Sequence, residues 1–300
     1  MPVNSNQFLQ LVDLDPVLTE IFHNSYSQHP DYIPMVTSRR TSSKAKETDL
    51  RIGSFADPTP HIGAIKYDDP MPDFEVTYTP IEYSSGFIVE RKLLDDAQYD
   101  HPFGQAGSMG VAYARKQQKI FADVFNNAFD TAVVGYDAKA LCANDHPRSD
   151  SDSTAVDNYL NGTVLSEANL ETAIQTHQAL KDDLGEEIVI QPNLLIVPRA
   201  LGKTARQLVE SVLTPESAEN AKNLYSAELS VVINPFLTDS TAWFLVDRAM
   251  SGQWLKWYDR IAVEFAADSP DFDTMARKFR GYFRCVVGWS DFRWILGAKP

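Results

Sequence analysis

A chain of 300 residues, 44% hydrophobic and 23% charged, is ordinary globular material, long enough for one large domain or two modest ones. Its formal net charge of -14 and pI near 4.8 set most of its surface against nucleic acid and anionic lipid. It shows no basic-then-apolar leader and no apolar run near the ~18 residues of a membrane span, and its two cysteines, Cys142 and Cys285, lack CxxC spacing and read as reduced, buried thiols of a protein made in cytoplasm.

Residues 1–35 carry one helical pattern, Phe8, Leu11, Val12 and Leu14, then Val17, Leu18, Ile21 and Phe22 after Pro16. The run "TSRRTSSKAKETD" follows, with Arg39, Arg40, Lys44 and Lys46 before any acid. It reads as an exposed arm, either solvated or lying on an acidic neighbour. Residues 50–90 are extended. "ADPTPHIGAIKYDDPMPD" is a turn-rich projection, and "FEVTYTPIEYSSGFIV" alternates, with Phe74, Val76 and Tyr78 on one face. Such a ribbon is far longer than the usual strand of ~5–6 residues and is marginal alone in water. It is expected to find no partner in its own molecule and to lie on a second copy.

The longest helix is expected over about 104–130, where Ile120, Phe121, Val124, Phe125 and Phe129 keep helical spacing; Gly104, Gly107 and Gly110 weaken its start. "GYDAKALCANDHP" reads as a strand ending in a turn. Ser166 is the N-cap of a helix through Leu170, Ile174, His177 and Leu180, which Gly185 can end. Leu194 to Val197 is a strand, followed by a helix from about Ala200. "TPESAENAKNLY" is loop. "ELSVVINPFL" and "TAWFLVD" read as two strands joined at Leu237–Ser240, and "QWLKWYDRIAVEFA" as another pair. The end, "ARKFRGYFRCVVGWSDFRWIL", is strongly strand-like. The type is mixed α+β.

Four motifs hint at chemistry. Gly202-Lys203-Thr204 after a strand suggests a phosphate loop. However, the first glycine of that loop is replaced by Val197, and Pro198 has no N–H to offer. Asp100-His101-Pro102 and Asp145-His146-Pro147 could hold a metal, but neighbours in a strand face opposite ways and each proline marks a turn. "RGYFRCVV" resembles the aromatic strand of an RNA-recognition motif, yet Phe283 and Arg284 break the pattern. Alternation accounts for it better: Phe279, Phe283, Cys285 and Val287 face in, while Lys278, Arg280, Tyr282 and Arg284 form a basic outer stripe, read first as a solvated face and otherwise as one that meets acidic neighbours or, weakly, DNA. No GxSxG elbow occurs. No catalytic, cofactor or metal residue is assigned.

The succession "DAKALCANDHP", "LSEANLETAIQTHQALKDDLGEEIVIQPNLLIVPRALGKTARQLVES" and "VVINPFLTDSTAWFLVD" resembles the major capsid proteins of tailed bacteriophages, in their Mu-like branch. Upstream, arm, ribbon and "GFIVERKLLDD" leading to a long helix fit by order. The resemblance implies an N-terminal arm at about 1–48 and an extended loop at 49–90. It implies a peripheral domain at 91–159 with a spine helix near 104–130, completed by 269–300, and an axial domain at 160–268. It implies a non-enzymatic subunit that assembles into pentamers and hexamers of an icosahedral head around double-stranded DNA. Its partners would be copies of itself, a portal, a separate scaffolding protein and a cement protein, with weak contact to packaged DNA and none to membrane. It would be made in the host cytoplasm and end in the virion. An encapsulin-type compartment shares the fold. Lys66 lies where some relatives cross-link, but no motif carries that chemistry here. Two other readings remain: a nucleic-acid-binding protein using Arg277–Arg284, and a metal-dependent enzyme using the Asp-His-Pro turns.

Overall fold

The structure, a computed structural model, describes residues 14–58, 60, 61, 63, 65, 67, 72–96, 98–211, 225, 228–268 and 276–300, without the side chains of 72, 73, 94 and 95. From the N-terminus come helix α1 (Leu14–Ser27), the short α2 (Ile33–Val36), and strands β1 (Arg39–Thr41), β2 (Glu47–Ile52), β3 (Pro72–Tyr78) and β4 (Ile81–Val89). Then follow α3 (Arg91–Asp95) and the long α4 (Asp100–Asn126). Three short strands, β5 (His146–Pro147), β6 (Ala155–Val156) and β7 (Tyr159–Asn161), precede α5 (Glu167–Gln178). β8 (Leu194–Val197) leads through a 3-10 turn into α6 (Gly202–Val209). The chain ends with β9 (Ser230–Ile233), β10 (Trp243–Val246), α7 (Arg248–Trp254), β11 (Leu255–Ala267), β12 (Arg277–Trp289) and β13 (Ile295–Lys299).

Strands β8 and β10 have no polar position, so they must be buried on both faces. They lie at the middle of a five-stranded sheet of order β7-β13-β10-β8-β9. Alternate residues feed two cores. Leu194, Ile196, Phe244, Val246 and Ile295 face Phe121 and Phe125 of α4. Leu195, Val197, Trp243, Leu245 and Leu296 face Leu170 of α5 and Ala205 and Val209 of α6. The whole side chains of Trp243, Phe244 and Trp294 are buried, and truncating one such ring to alanine costs about 3–5 kcal/mol.

A second sheet, of order β1-β11-β12-β4, buries one face only. Phe279, Phe283 and Cys285 point inward; Lys278 and Arg280 stay exposed, as alternation requires. Its inner face packs on α1 and α4. Phe22 of α1 stacks on Phe265, and Tyr113 of α4 donates its hydroxyl to the Gly281 carbonyl (2.6 Å) and accepts the Ser85 amide (2.7 Å). Gly110, one of the glycines that weaken the start of α4 on paper, is what lets α1 cross it. A Cβ on Gly110 would stand 2.4 Å from the Phe22 carbonyl oxygen.

Several expected elements come out differently. The ribbon is divided at Pro80, which has no N–H for a ladder. β3 pairs with β2, from Glu47↔Tyr78 to Ile52↔Pro72, and β4 pairs with β12 from Ile81↔Cys285 to Val89↔Arg277. So both halves of the ribbon find a partner in their own molecule, against the expectation that they would lie on a second copy. The run 37–49 is not a free arm: β1 joins β11 in parallel, and Thr37 and Ser42 are buried. "GYDAKALCANDHP" is mostly turn, closed by Gly135 N–H to the Lys139 carbonyl and by Ala138 at φ 59°. β9 and β10 are not a hairpin, because β8 lies between them. "QWLKWYDRIAVEFA" is the end of α7 followed by one strand, irregular between Asp259 and Glu264. The longest helix spans 100–126 rather than 104–130. The loop "TPESAENAKNLY", residues 1–13 and Lys66 lie outside the described residues, Tyr225 excepted.

Candidate functional site

The extended loop leaves the body at β2 and returns at β3, and its base is held by buried charge. Asp49 pairs with Lys256 of β11, whose side chain is almost fully buried. Two residues on, and on the same face of the strand, Arg51 reaches Asp291 at 2.8 Å, with side chains 8% and 2% exposed. Asp291 also accepts from Arg293 at 3.0 Å. Arg293 is itself a hub: its guanidinium donates to the Lys181 carbonyl (2.7 Å) and the Arg148 carbonyl (2.9 Å). Its own carbonyl accepts from His177 Nε2 at 3.0 Å. Burial lowers the His177 pKa to about 4, the bond to Arg293 only partly offsetting it, so this imidazole is neutral in the fold.

The lock extends to both sides. Past β2, the Ser54 amide donates to Asp183 at 2.9 Å. Burial alone would raise the Asp183 carboxyl, but the bonds from Ser54 hold it below the usual range. On β3, Phe74 meets Tyr136 edge-on at 5.0 Å. Burial first, then the carboxylates Asp291 and Asp137, push the Tyr136 hydroxyl well above a normal phenol. Arrangements of this kind repay their desolvation only when every partner is present; removing one partner from a buried pair costs about 3–5 kcal/mol. The base of the loop therefore has a fixed direction.

On the opposite face of β2, and beyond it, the chemistry reverses. Leu50, Ile52, Phe55, Ile65 and Tyr67 are 51% to 87% exposed, Tyr67 the most. Five large apolar side chains gathered on one projection are an interaction surface rather than the scattered exposure of an ordinary monomer. The site is an arm that the body aims and does not cover.

The motifs read from sequence fall elsewhere. Gly202 opens α6, where a Cβ would come within 2.9 Å of the Ile233 methyl. Its lack of side chain serves helix-to-strand packing. Asp100 and His101 start α4 and both are exposed, while His146 is buried. His146 does not use Asp145, which pairs with Lys139. Its Nδ1–H donates to Asp137 at 2.5 Å and its ring stacks on Phe292. Among the described residues no group of three histidine, cysteine or acidic side chains could hold a metal. No helix among them is long and apolar enough to cross a membrane. On β12, Arg284 lies 3.4 Å from Glu82 and Arg277 pairs with Asp15 of α1, so two cations of the supposed nucleic-acid stripe serve the fold. Cys142 and Cys285 are buried free thiols, and burial lifts Cys285 to about 12.

Sequence reading missed Arg51, Asp291 and Arg293. The signal was there in "SDFRWIL", where two opposite charges alternate with Phe292 and Trp294 inside an otherwise core-forming run. Charges at such positions are rarely buried unless paired.

A family profile described as phage capsid protein matches residues 74–298, three quarters of the 300-residue chain. No characterised protein sequence matches it significantly. Among solved structures, a chain of the procapsid of bacteriophage JBD30 matches with a TM-score of 0.53 at 15% identity, over 96% of this chain and 74% of that one. A virus-like particle from Pyrococcus furiosus gives 0.56 at 10% identity, over 96% and 100%. A chain of Microbacterium phage Oxtober96 gives 0.53 at 12% identity over 100% of both. At these identities the likeness is one of fold, and the fold is the mixed α+β capsid fold over most of the chain. The profile match settles the family: this chain belongs to the phage capsid proteins, and it is a structural subunit of a virion's shell, not an enzyme.

Proposed function

We propose that the chain forms the pentamers and hexamers of an icosahedral head that encloses double-stranded DNA, within the Mu-like branch of tailed-phage capsid proteins. The observation that carries this is the loop: a base fixed by Asp49, Arg51 and Ser54, and a distal part with Phe55, Ile65 and Tyr67 exposed. A patch on one part of a subunit that meets a different part of the next is a heterologous contact, and such contacts close into rings when the rotation permits. Each contact can be modest, because a shell repeats it many times. In this reading residues 1–48 begin the subunit, 49–90 are the loop, and 91–159 with 269–300 form the peripheral domain around α4. Residues 160–268, with α5 and α6, form the axial domain. Portal, scaffold and cement proteins complete the particle, which is assembled in the host cytoplasm.

The test is size-exclusion chromatography with negative-stain microscopy of the purified chain. Rings, sheets or closed particles are expected; a compact monomer at every concentration would refute it. The structural likeness to a virus-like particle from Pyrococcus furiosus favours a second reading, a compartment without a genome. The nucleic-acid content of native particles separates the two.

A further inference from the structure

We propose that the exposed face of α4, through Arg115, Lys116 and Lys119, is the surface this subunit turns toward duplex DNA; the inference rests on the shell reading above. The chain is acidic overall, so a polyanion approaches best where exposed cations cluster and have no carboxylate in direct contact. Many cations among the described residues are already used. Arg39, Arg51, Arg148, Lys139, Lys256, Arg277, Arg284, Arg293 and Lys299 each have a carboxylate within 4 Å.

Arg115, Lys116 and Lys119 do not. All three are exposed, and among the described residues no carboxylate comes within ion-pair distance of any of them. Lys116 lies over the Tyr83 ring at 5.0 Å, which directs its ammonium without neutralising it. Positions 115 and 119 are neighbours on one helical face, about 6 Å apart along the axis. One turn further toward the N-terminus that face becomes small, with Gly104, Ser108 and Ala112. Together with Ser85 and Gly86 of β4 they line an open groove of about 570 Å³. Gly104, Ser108 and Ala112 thus leave a strip without long side chains leading up to the cations, bordered by Phe87, His101, Gln105 and Met109; Asp100 marks the groove's far end.

Two other basic places compete, and each is poorer. On β12 Arg280 and Lys278 are exposed, but Lys278 already has a partner within the fold and Arg284 of the same stripe is held by Glu82. Near α6, Arg199 and Lys203 are exposed, but the third cation, Arg206, faces Glu210 at 4.0 Å.

The experiment measures binding of a 30-base-pair duplex to the purified full chain across a salt series, by fluorescence anisotropy, with poly-glutamate as a second probe. The triple variant R115Q/K116Q/K119Q is expected to weaken duplex binding roughly 10- to 100-fold at low salt and to flatten the log–log salt slope by about 2–3, near 0.9 per lost phosphate contact. K278Q/R280Q and R199Q/K203Q are expected to change affinity less than about 3-fold. If the triple variant alters assembly or melting, R115Q and K119Q alone should each flatten the slope by about one. An unchanged slope in the α4 variants, an equal loss in either control pair, or binding of poly-glutamate but not duplex overturns the proposal. Micrographs of the same samples keep the questions apart: wild-type particles with an unchanged α4 slope reject only this face, whereas absence of particles rejects the shell reading.

Discussion

The base and the distal part of the extended loop are only a few residues apart and follow opposite rules. At the base, Arg51 and Asp291 are ions with side chains under 10% exposed; further out, Phe55 and Tyr67 are rings more than 65% exposed. A self-sufficient monomer would do the reverse, with rings inside and ions outside. The inversion assigns different tasks. Buried ions fix geometry, because a charge out of water tolerates only one arrangement of its partners. Exposed apolar area supplies association that is non-directional and scales with the area later covered. Direction is set within the chain, and affinity is left for another copy.

The comparison breaks most sharply at Asp291. Asp291→Ala leaves Arg51 and Arg293 buried without their carboxylate, and urea denaturation should show a loss of about 3–5 kcal/mol. Next comes pH. The folded pKa of His177, near 4, lies below the unfolded value of about 6.5. The fold keeps the neutral ring, so its stability contribution is whole above pH 6.5 and is lost as pH falls from 6.5 toward 4, by a span on the order of 3 kcal/mol. Melting of the wild type against His177→Asn across that window checks it; the variant should lose most of the slope. A Gly110→Ala change forces α1 off α4 and should cost about 1–3 kcal/mol in the same assay, sharpening the contrast between a crowded crossing and an open loop. Least of all, Glu82→Gln removes the partner of Arg284. Glu82 is 62% exposed, and the change should move stability by no more than about 0.5 kcal/mol.

Much of the body could be read from sequence because its signals are local. Alternation across 277–287 set the inner and outer faces of β12, Ser166 capped α5 as read, and the unbroken run 194–197 could only be a buried strand. What failed depends on partners far away in sequence. Nothing local says that β8 inserts between β9 and β10, or that β1 runs beside β11, more than 210 residues on. Pro80 was a readable break in the ribbon, since a residue without N–H ends a ladder, but the identity of each half's partner was not. The exposed loop side chains Phe55, Ile65 and Tyr67 were not singled out, because a turn-rich run has no period to mark a face. Nor was the lock, because Arg51, Asp291 and Arg293 acquire meaning only when 240 residues of chain bring them together.

The most direct test substitutes two loop rings at once, Phe55→Asp with Tyr67→Asp, and asks for melting temperature and particle formation on the same preparation. Both side chains are exposed in the lone subunit, so the account predicts a melting transition within about 1 °C of wild type, as expected for surface changes near ±0.5 kcal/mol or less, and no rings or shells by negative stain. Normal particles from that variant would contradict it.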